Sequence, residues 1–230
     1  MTYEETLKEK GYAITESNIS DWDKDTFTAI NHSTFIYCIA GSVTIEINMI
    51  EYTLRTNSYV SIPDDSIVKV ISRSDDFNSL RLAYTKDAGL TASIGMNIDT
   101  MQNIFLNPCN HLTNATEIAL FMNMLGSLLE YSRMPNFLHH SDFAYGQIRC
   151  LFLAIAEIGA ISRNAASQST VFTSADSYFI NFIKLLNKHC RQQHDVAFYA
   201  DKLSITPKYL NEIARKTANR TAKDIISKFI

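Results

Sequence analysis

The spacing of apolar residues changes once along the chain, near Thr85, and this change constrains the fold more than any other feature. Before it, apolar and polar residues alternate, as in Val43-Thr44-Ile45-Glu46-Ile47, which is typical of a half-buried strand. Short runs of this kind, separated by turn residues, extend from about Phe27 to Tyr84. The pattern predicts a small β-barrel or sandwich followed by helices, which is an α+β chain.

Two segments after this β-region have helical spacing. A first helix ends near Tyr131, and a second extends from about Ser141 to Arg163. The second is apolar on nearly every side, so it needs cover on more than one side. The rest of the chain could supply all of that cover, or a second copy could supply part of it. We expect a homodimer interface that includes Ile148, Phe152 and Ile155.

The net charge of −3 conceals an uneven distribution of charged residues. From Ser174 onward ten Lys and Arg stand against five Asp and Glu, so this segment carries +5. The remainder has eleven basic and nineteen acidic residues, hence −8. A basic C-terminal segment that follows an acidic N-terminal part is typical of nucleic-acid binding, although a solvated helical face could carry the same charge. Glycine is scarce and no glycine-rich phosphate loop motif occurs, which excludes a P-loop or Rossmann nucleotide site.

Two short amphipathic segments near the C-terminus have the spacing of a helix-turn-helix. Asp195 has the chemistry of an N-cap, and Ser204-Ile205 turns the chain after the first helix. Thr206 then suits the N-cap and Pro207 the first position of a second helix. Any αα-hairpin could show this spacing, so DNA binding competes here with a purely structural role. The outer face of the second helix carries side chains that read base edges and phosphates: Lys208, Asn211, Glu212 and Arg215.

The residues from Asp195 to Leu210, DVAFYADKLSITPKYL, closely resemble the first helix-turn-helix of AraC/XylS-type transcription regulators. Asn219-Arg220-Thr221-Ala222 is similar to the start of that family's central linker helix. Upstream, the segment from Ile39 to Leu54 and the pair Ile62-Pro63 are similar to its cupin-like sensor domain. The resemblance implies a cupin-like sensor over 1–90, a dimerising helical hairpin over 91–165, a linker over 166–174 and a partial DNA-binding domain over 175–230.

The resemblance also implies the partners and the DNA contacts. DNA is the expected partner, with a small-molecule effector of unknown identity and a second copy of the chain. The family has a second helix-turn-helix, and its absence here leads us to expect an intact protein about 60 residues longer and weak DNA binding by this chain. The expected DNA-contacting residues are Thr206, Lys208, Tyr209, Asn211, Glu212, Arg215, Lys216 and Arg220.

The β-region lacks the residues of a catalytic metal site. His32 is its only histidine, whereas a metal needs two or three converging imidazoles or carboxylates. We therefore expect no metal, no cofactor and no enzymatic activity. We expect instead an effector pocket lined by Phe35, Tyr37 and Tyr59, whose rings would bind a small molecule. Ordinary core packing is the alternative for each of these three residues.

Several broader alternatives remain open from the residues alone. The N-terminus lacks the features of a signal peptide, and no apolar run reaches the length of a membrane span, so we expect a cytoplasmic protein without membrane contact. The main reading is an effector-responsive, sequence-specific DNA-binding regulator. One rival is an effector-binding or dimerisation module without DNA binding of its own. A more distant rival is a non-metal cupin enzyme.

Overall fold

The computed structural model describes residues 2–22, 26–97, 104, 108–134, 138–166, 174–218 and 220–228. Its N-terminal part contains a short helix, α1 (Tyr3–Lys10), and a set of antiparallel strands. The strands are β1 (Tyr12–Ser17), β2 (Thr28–Ile30), β3 (Ser33–Ala40), β4 (Ser42–Ile47), β5 (Ile50–Arg55), β6 (Ser58–Ile62), β7 (Ser66–Arg73), β8 (Asn78–Tyr84) and β9 (Cys109–His111).

The remaining helices follow in two groups. The first comprises α2 (Lys86–Ser93), α3 (Ala115–Arg133) and α4 (His140–Ala166), the last two forming the predicted hairpin. The second comprises α5 (Ser174–His189), α6 (Val196–Lys202), α7 (Pro207–Ala218) and α8 (Ala222–Lys228). The predicted linker lies mostly at 167–173, outside the described residues. No helix in the described ranges is long and apolar enough to span a membrane.

The strands form two sheets packed face to face, which confirms the predicted α+β class with an N-terminal cupin-like sandwich. One sheet has the order β1-β8-β3-β6-β9 and the other β2-β7-β4-β5. Side chains from both sheets fill the space between them, as the alternation in β4 predicts. This interior includes Ile36, Val43, Ile45, Ile47, Val60 and Val70.

The hairpin covers the outer face of the first sheet, and one aromatic side chain lies at the centre of the contact. Phe121 of α3 is fully buried and stacks on three rings of that face. Its ring centroid lies 6.0 Å from that of Phe35, 6.1 Å from Tyr37 and 5.1 Å from Tyr59. Buried aromatic groups at such separations add to the free energy gained from burying their area. The stack therefore joins the hairpin to the sandwich.

The apolar second helix of the hairpin is covered by the chain itself. Ile148 is 0% exposed, Phe152 5% and Ile155 1%, and all three belong to the same buried cluster as the outer face of the first sheet. Phe152 meets Tyr84 edge to face, with ring centroids 5.7 Å apart. The prediction that these residues form a dimer interface is wrong, because side chains already buried in the monomer offer no surface to a second copy.

Replacing Phe121 with Ala should lower the free energy of unfolding by about 3–5 kcal/mol, because the cavity would lie among three stacked rings. Urea denaturation followed by circular dichroism measures the change. Met122→Ala is the matched control, since the adjacent side chain is 37% exposed and its truncation should cost well under half as much. Equal losses for the two variants would contradict the assignment of Phe121 as the residue that joins hairpin and sheet.

Candidate DNA-binding surface and ligand cleft

The helix-turn-helix predicted from the sequence is formed by α6, a tight turn and α7. Asp195 caps α6, its Oδ1 accepting a hydrogen bond from the Ala197 N–H at 3.0 Å. The turn places Ser204 at φ 57°, and the Ile205 N–H donates to the Ala200 carbonyl at 3.0 Å. The small Ala200 is fully buried, which lets the two helices cross closely. Both helices rest on a buried cluster shared with α5 and α8.

The cap of α7 also follows the sequence prediction, and a capping box starts α8. The Tyr209 N–H donates to Thr206 Oγ1 at 3.2 Å, so Thr206 is the N-cap of α7. Thr221 and Asp224 form a reciprocal capping box at the start of α8, with both backbone-to-side-chain distances at 3.1 Å. The capping hydrogen bonds and the neighbouring charges of Arg220 and Arg215 lower the pKa of the Asp224 carboxyl. The start of α7 and the start of α8 are thereby each fixed by a capping side chain.

The outer surface of α7 presents a basic stripe to solvent. Lys208, Glu212 and Arg215 recur at i, i+4 and i+7, so they share one face, and all three are exposed. Lys216 beside them is exposed as well, as is the Thr206 cap at the start of the helix. This stripe has the length and composition of a major-groove reading surface. We call these five residues the basic stripe.

Three of the predicted DNA contacts are engaged within the protein. The Asn211 amide donates to the Pro207 carbonyl at 3.1 Å and accepts from the Ala222 N–H at 3.0 Å. The prediction that Asn211 reads DNA alongside Lys208 is therefore corrected, because its side chain ties α7 to α8. Tyr209 is half-buried and meets Tyr178 edge to face, and Arg220 approaches Glu46 of the sandwich at 3.9 Å. Sequence spacing could not show these contacts, which come from other elements.

The predicted effector pocket does not exist as a pocket. Phe35, Tyr37 and Tyr59 are each 0–1% exposed and point away from the sandwich interior, toward Phe121. The Tyr37 hydroxyl donates to Asn57 Oδ1 at 3.1 Å, and the Asn110 amide donates to the Tyr59 hydroxyl at 3.2 Å. Burial raises the pKa of Tyr59 to about 12. The alternative interpretation, ordinary core packing, is the correct one for all three.

A cleft of about 690 Å³ lies instead where α5 and α6 face the sandwich. No local sequence pattern predicts it, because its walls come from segments far apart in the chain. Three exposed lysines, Lys184, Lys188 and Lys202, line it. Lys184 and Lys188 are one turn apart on α5, so their like charges repel. Among the described residues none of the three forms an ion pair. The other lining residues are Asn31, Asp65, Tyr178, Asn181, Leu185 and Leu203.

A smaller cavity of about 250 Å³ adjoins this cleft, since Lys184 lines both. Its apolar wall includes Leu90, Ile104 and Phe152. Its polar lining includes Asp64, Lys86 and Tyr84, and burial raises the pKa of Tyr84 to about 12. The two spaces together combine cationic groups with a partly apolar wall. Within the described part of the chain, no three His, Cys, Asp or Glu side chains come together as metal ligands.

Comparison with known proteins gives a likeness of fold. No family model matches the chain, and no curated protein matches it. ToxT from Vibrio cholerae strain SCE256, solved with an unsaturated fatty acid bound, is 11% identical with a TM-score of 0.50, over 95% of this chain and 77% of that one. The AraC-like transcriptional activator CuxR is 12% identical, with a TM-score of 0.37, over 94% of this chain and 71% of that one. EutQ from Clostridium difficile is 22% identical, with a TM-score of 0.27, over 36% of this chain and 64% of that one.

The agreement with ToxT spans both the sandwich and the helical part. The fold that the AraC/XylS resemblance predicts, a cupin-like domain joined to a helix-turn-helix, is therefore confirmed.

Truncating Asn211 to Ala should lower the free energy of unfolding by about 0.5–2 kcal/mol, because the Ala222 N–H loses its capping partner. Thermal denaturation monitored by circular dichroism measures this change. Glu212→Ala is the control, since that exposed side chain is the next residue on the same helix and its removal should alter stability by less than about 0.5 kcal/mol. A loss of DNA affinity in Asn211→Ala with unchanged stability would instead restore it as a DNA contact.

Proposed function

We propose that this chain, which shares its fold with ToxT, is a DNA-binding transcriptional regulator of AraC type that responds to a small molecule. The observation that carries the proposal is the basic stripe on α7, held outward by a capped helix-turn-helix. The stripe belongs to the +5 segment, whereas the sandwich and hairpin are acidic. Local positive potential on an otherwise acidic protein steers DNA to one surface only.

In the proposed complex, α7 enters the major groove with its N-terminal end foremost. The N–H groups of its first turn and the Thr206 hydroxyl hold a phosphate, as helix N-termini commonly do. Lys208, Glu212 and Arg215 face the base edges, where Arg pairs with guanine and Glu accepts from cytosine. Lys216 neutralises a backbone phosphate nearby. Asn211 contributes only by fixing the angle between α7 and α8.

Removing a charge from the basic stripe should weaken DNA binding. On a mixed-sequence duplex these two cations pair with phosphates rather than with particular bases, so we expect Lys208→Ala and Arg215→Ala each to reduce affinity by about three- to tenfold and to reduce the salt dependence of binding by about one ion. Gel shifts over a series of salt concentrations, with a labelled mixed-sequence duplex at low ionic strength, measure both quantities.

Lys8→Ala is the matched control for these variants, because it removes the same charge from an exposed position on α1. Its affinity should stay close to that of the wild type. Absence of salt-sensitive DNA binding by the wild-type chain would favour the rival, an effector-binding or dimerisation module without DNA binding.

We place the effector in the cleft between α5, α6 and the sandwich. ToxT has been solved with an unsaturated fatty acid bound, and a molecule of that class suits this cleft. Its carboxylate would relieve the repulsion between Lys184 and Lys188 and pair with ammonium groups that lack an ion pair among the described residues. Its chain would enter the smaller cavity past Lys184 and lie against Leu90, Ile104 and Phe152. Binding there would contact both halves of the protein at once.

Removing the shared lysine should weaken fatty-acid binding. We expect Lys184→Ala to bind oleate about tenfold more weakly than the wild type, because one charge-assisted hydrogen bond is lost. Isothermal titration calorimetry below the critical micelle concentration measures this affinity. Lys223→Ala on α8 removes an exposed charge away from the cleft and should bind normally, and the methyl ester of oleate should bind poorly to every variant. Equal oleate affinity for the Lys184 and Lys223 variants would refute the site.

The proposal also includes a homodimer and a location in the cytoplasm. Five of the large exposed apolar side chains lie on or beside the hairpin: Leu120, Met122, Met134, Leu138 and Leu153. A second copy would pack against these residues rather than against the buried Ile148. The role we propose is regulatory rather than catalytic, and the protein would act in the cytoplasm where it meets DNA.

A further inference from the structure

One acidic residue interrupts the basic stripe on α7. Glu212 stands four residues after Lys208 and three before Arg215, so each cation is its neighbour on the same helix face. Oppositely charged side chains at these separations commonly form ion pairs. Within the described part of the chain, however, Glu212 forms no ion pair with either cation, and all three side chains are exposed. The carboxylate and both cations are therefore available to another molecule.

The only amide side chain of α7 is not available in this way. Asn211 donates through its amide to the Pro207 carbonyl and accepts from the Ala222 N–H, so both ends of the amide are engaged. Asn and Gln are the side chains that pair with adenine through two hydrogen bonds, whereas Lys and Arg pair with guanine and Glu accepts from cytosine. The side chains that α7 offers to DNA are therefore suited to guanine and cytosine rather than to adenine.

The three exposed side chains span a short stretch of DNA. Arg215 lies seven positions after Lys208, which is about 10.5 Å along the axis of a helix. Base pairs follow one another at about 3.4 Å, so this length covers about three steps, or about four base pairs. With α7 in the major groove, Glu212 faces an interior base pair of this site, and the two cations face its ends.

A carboxylate in the major groove discriminates between bases mainly by repulsion. The phosphates and the acceptor atoms of guanine and thymine repel it, and adenine presents an acceptor beside its donor. Cytosine presents only the N4 donor, from which a carboxylate accepts a hydrogen bond. An acid without an ion pair on the reading face therefore weakens binding to most sequences and spares those with cytosine at the interior position.

We propose that Glu212 is the specificity-determining residue of α7 and that it selects a site rich in G·C pairs. Guanine faces Lys208 and Arg215 in this site, and cytosine faces Glu212. The inference rests on the proposed function and deepens it by naming the bases. Glu212 raises selectivity while it lowers the affinity for DNA in general. Removing the acid therefore changes affinity for mixed-sequence DNA and preference among sequences in opposite directions.

Selection from a duplex library tests which bases are preferred. The full chain is incubated at low ionic strength with duplexes that carry a randomised core of about one helical turn, and the bound fraction is sequenced. We expect the bound sequences to contain an interior C·G pair, whose replacement in a single duplex should weaken binding about tenfold. In Glu212→Gln the new amide pairs with adenine, so the preferred base pair at that position should change to A·T.

Glu212→Ala separates selectivity from affinity. It should bind a mixed-sequence duplex about threefold more tightly than the wild type, because a negative charge leaves the reading face, and it should lose the preference for cytosine. Asp201→Ala is the matched control, since it removes an exposed acid from the neighbouring helix α6. This control should keep the base preference of the wild type.

If the wild-type chain binds DNA with salt sensitivity, an unchanged base preference in Glu212→Gln and Glu212→Ala would overturn the inference and leave the proposed function standing. A preferred site without an interior C·G pair would do the same. Absence of salt-sensitive binding by the wild type and by both variants would refute the proposed function and the inference with it.

Discussion

The rest of the structure depends on the stacking of Phe121 against Phe35, Tyr37 and Tyr59. This contact fixes α3 on the outer face of one sheet, and α4 packs beside it against α3 and α2. Because the stack fills the space beside the sheet with side chains at interior packing density, no room is left there for a ligand. The available space lies further along, between the sandwich and the C-terminal helices. The position of the candidate effector site thus follows from how the hairpin is held.

The same arrangement brings two oppositely charged parts of the chain together. The acidic sandwich and the basic C-terminal helices meet through Met49, Ile67 and the Glu46–Arg220 pair. This contact is mainly apolar with one ion pair at its edge. Interfaces between domains of one chain commonly open and close. A ligand in the adjoining cleft would contact both sides. In the proposed regulator, sensing and DNA binding would be coupled without any change inside the sandwich itself.

Local signals in the sequence predicted most of the individual elements. The caps at Asp195 and Thr206 lie where capping chemistry predicts them, and β4 forms where the alternation from Val43 to Ile47 predicts a strand. Strand β1 was missed, because Tyr12–Ser17 is preceded by a helix and lies before the first clear turn signals. In β3, Phe35 and Tyr37 were expected to line an effector pocket, but they face the hairpin. Both faces of that strand are buried, so alternation between apolar and polar residues cannot distinguish them.

Taken alone, the sequence determined what depends on neighbouring residues: strand and helix periods, helix caps, the helix-turn-helix and the separation of charge between the two parts. Tertiary structure decided what depends on residues far apart in the chain. It directed Phe35, Tyr37 and Tyr59 into the hairpin and used Asn211 to cap α8. It also gathered Lys184, Lys188 and Lys202 around a cleft and placed Arg220 on Glu46. The physical reason is that burial and pairing energies are set by which surfaces meet, and a local pattern specifies a surface without specifying its partner.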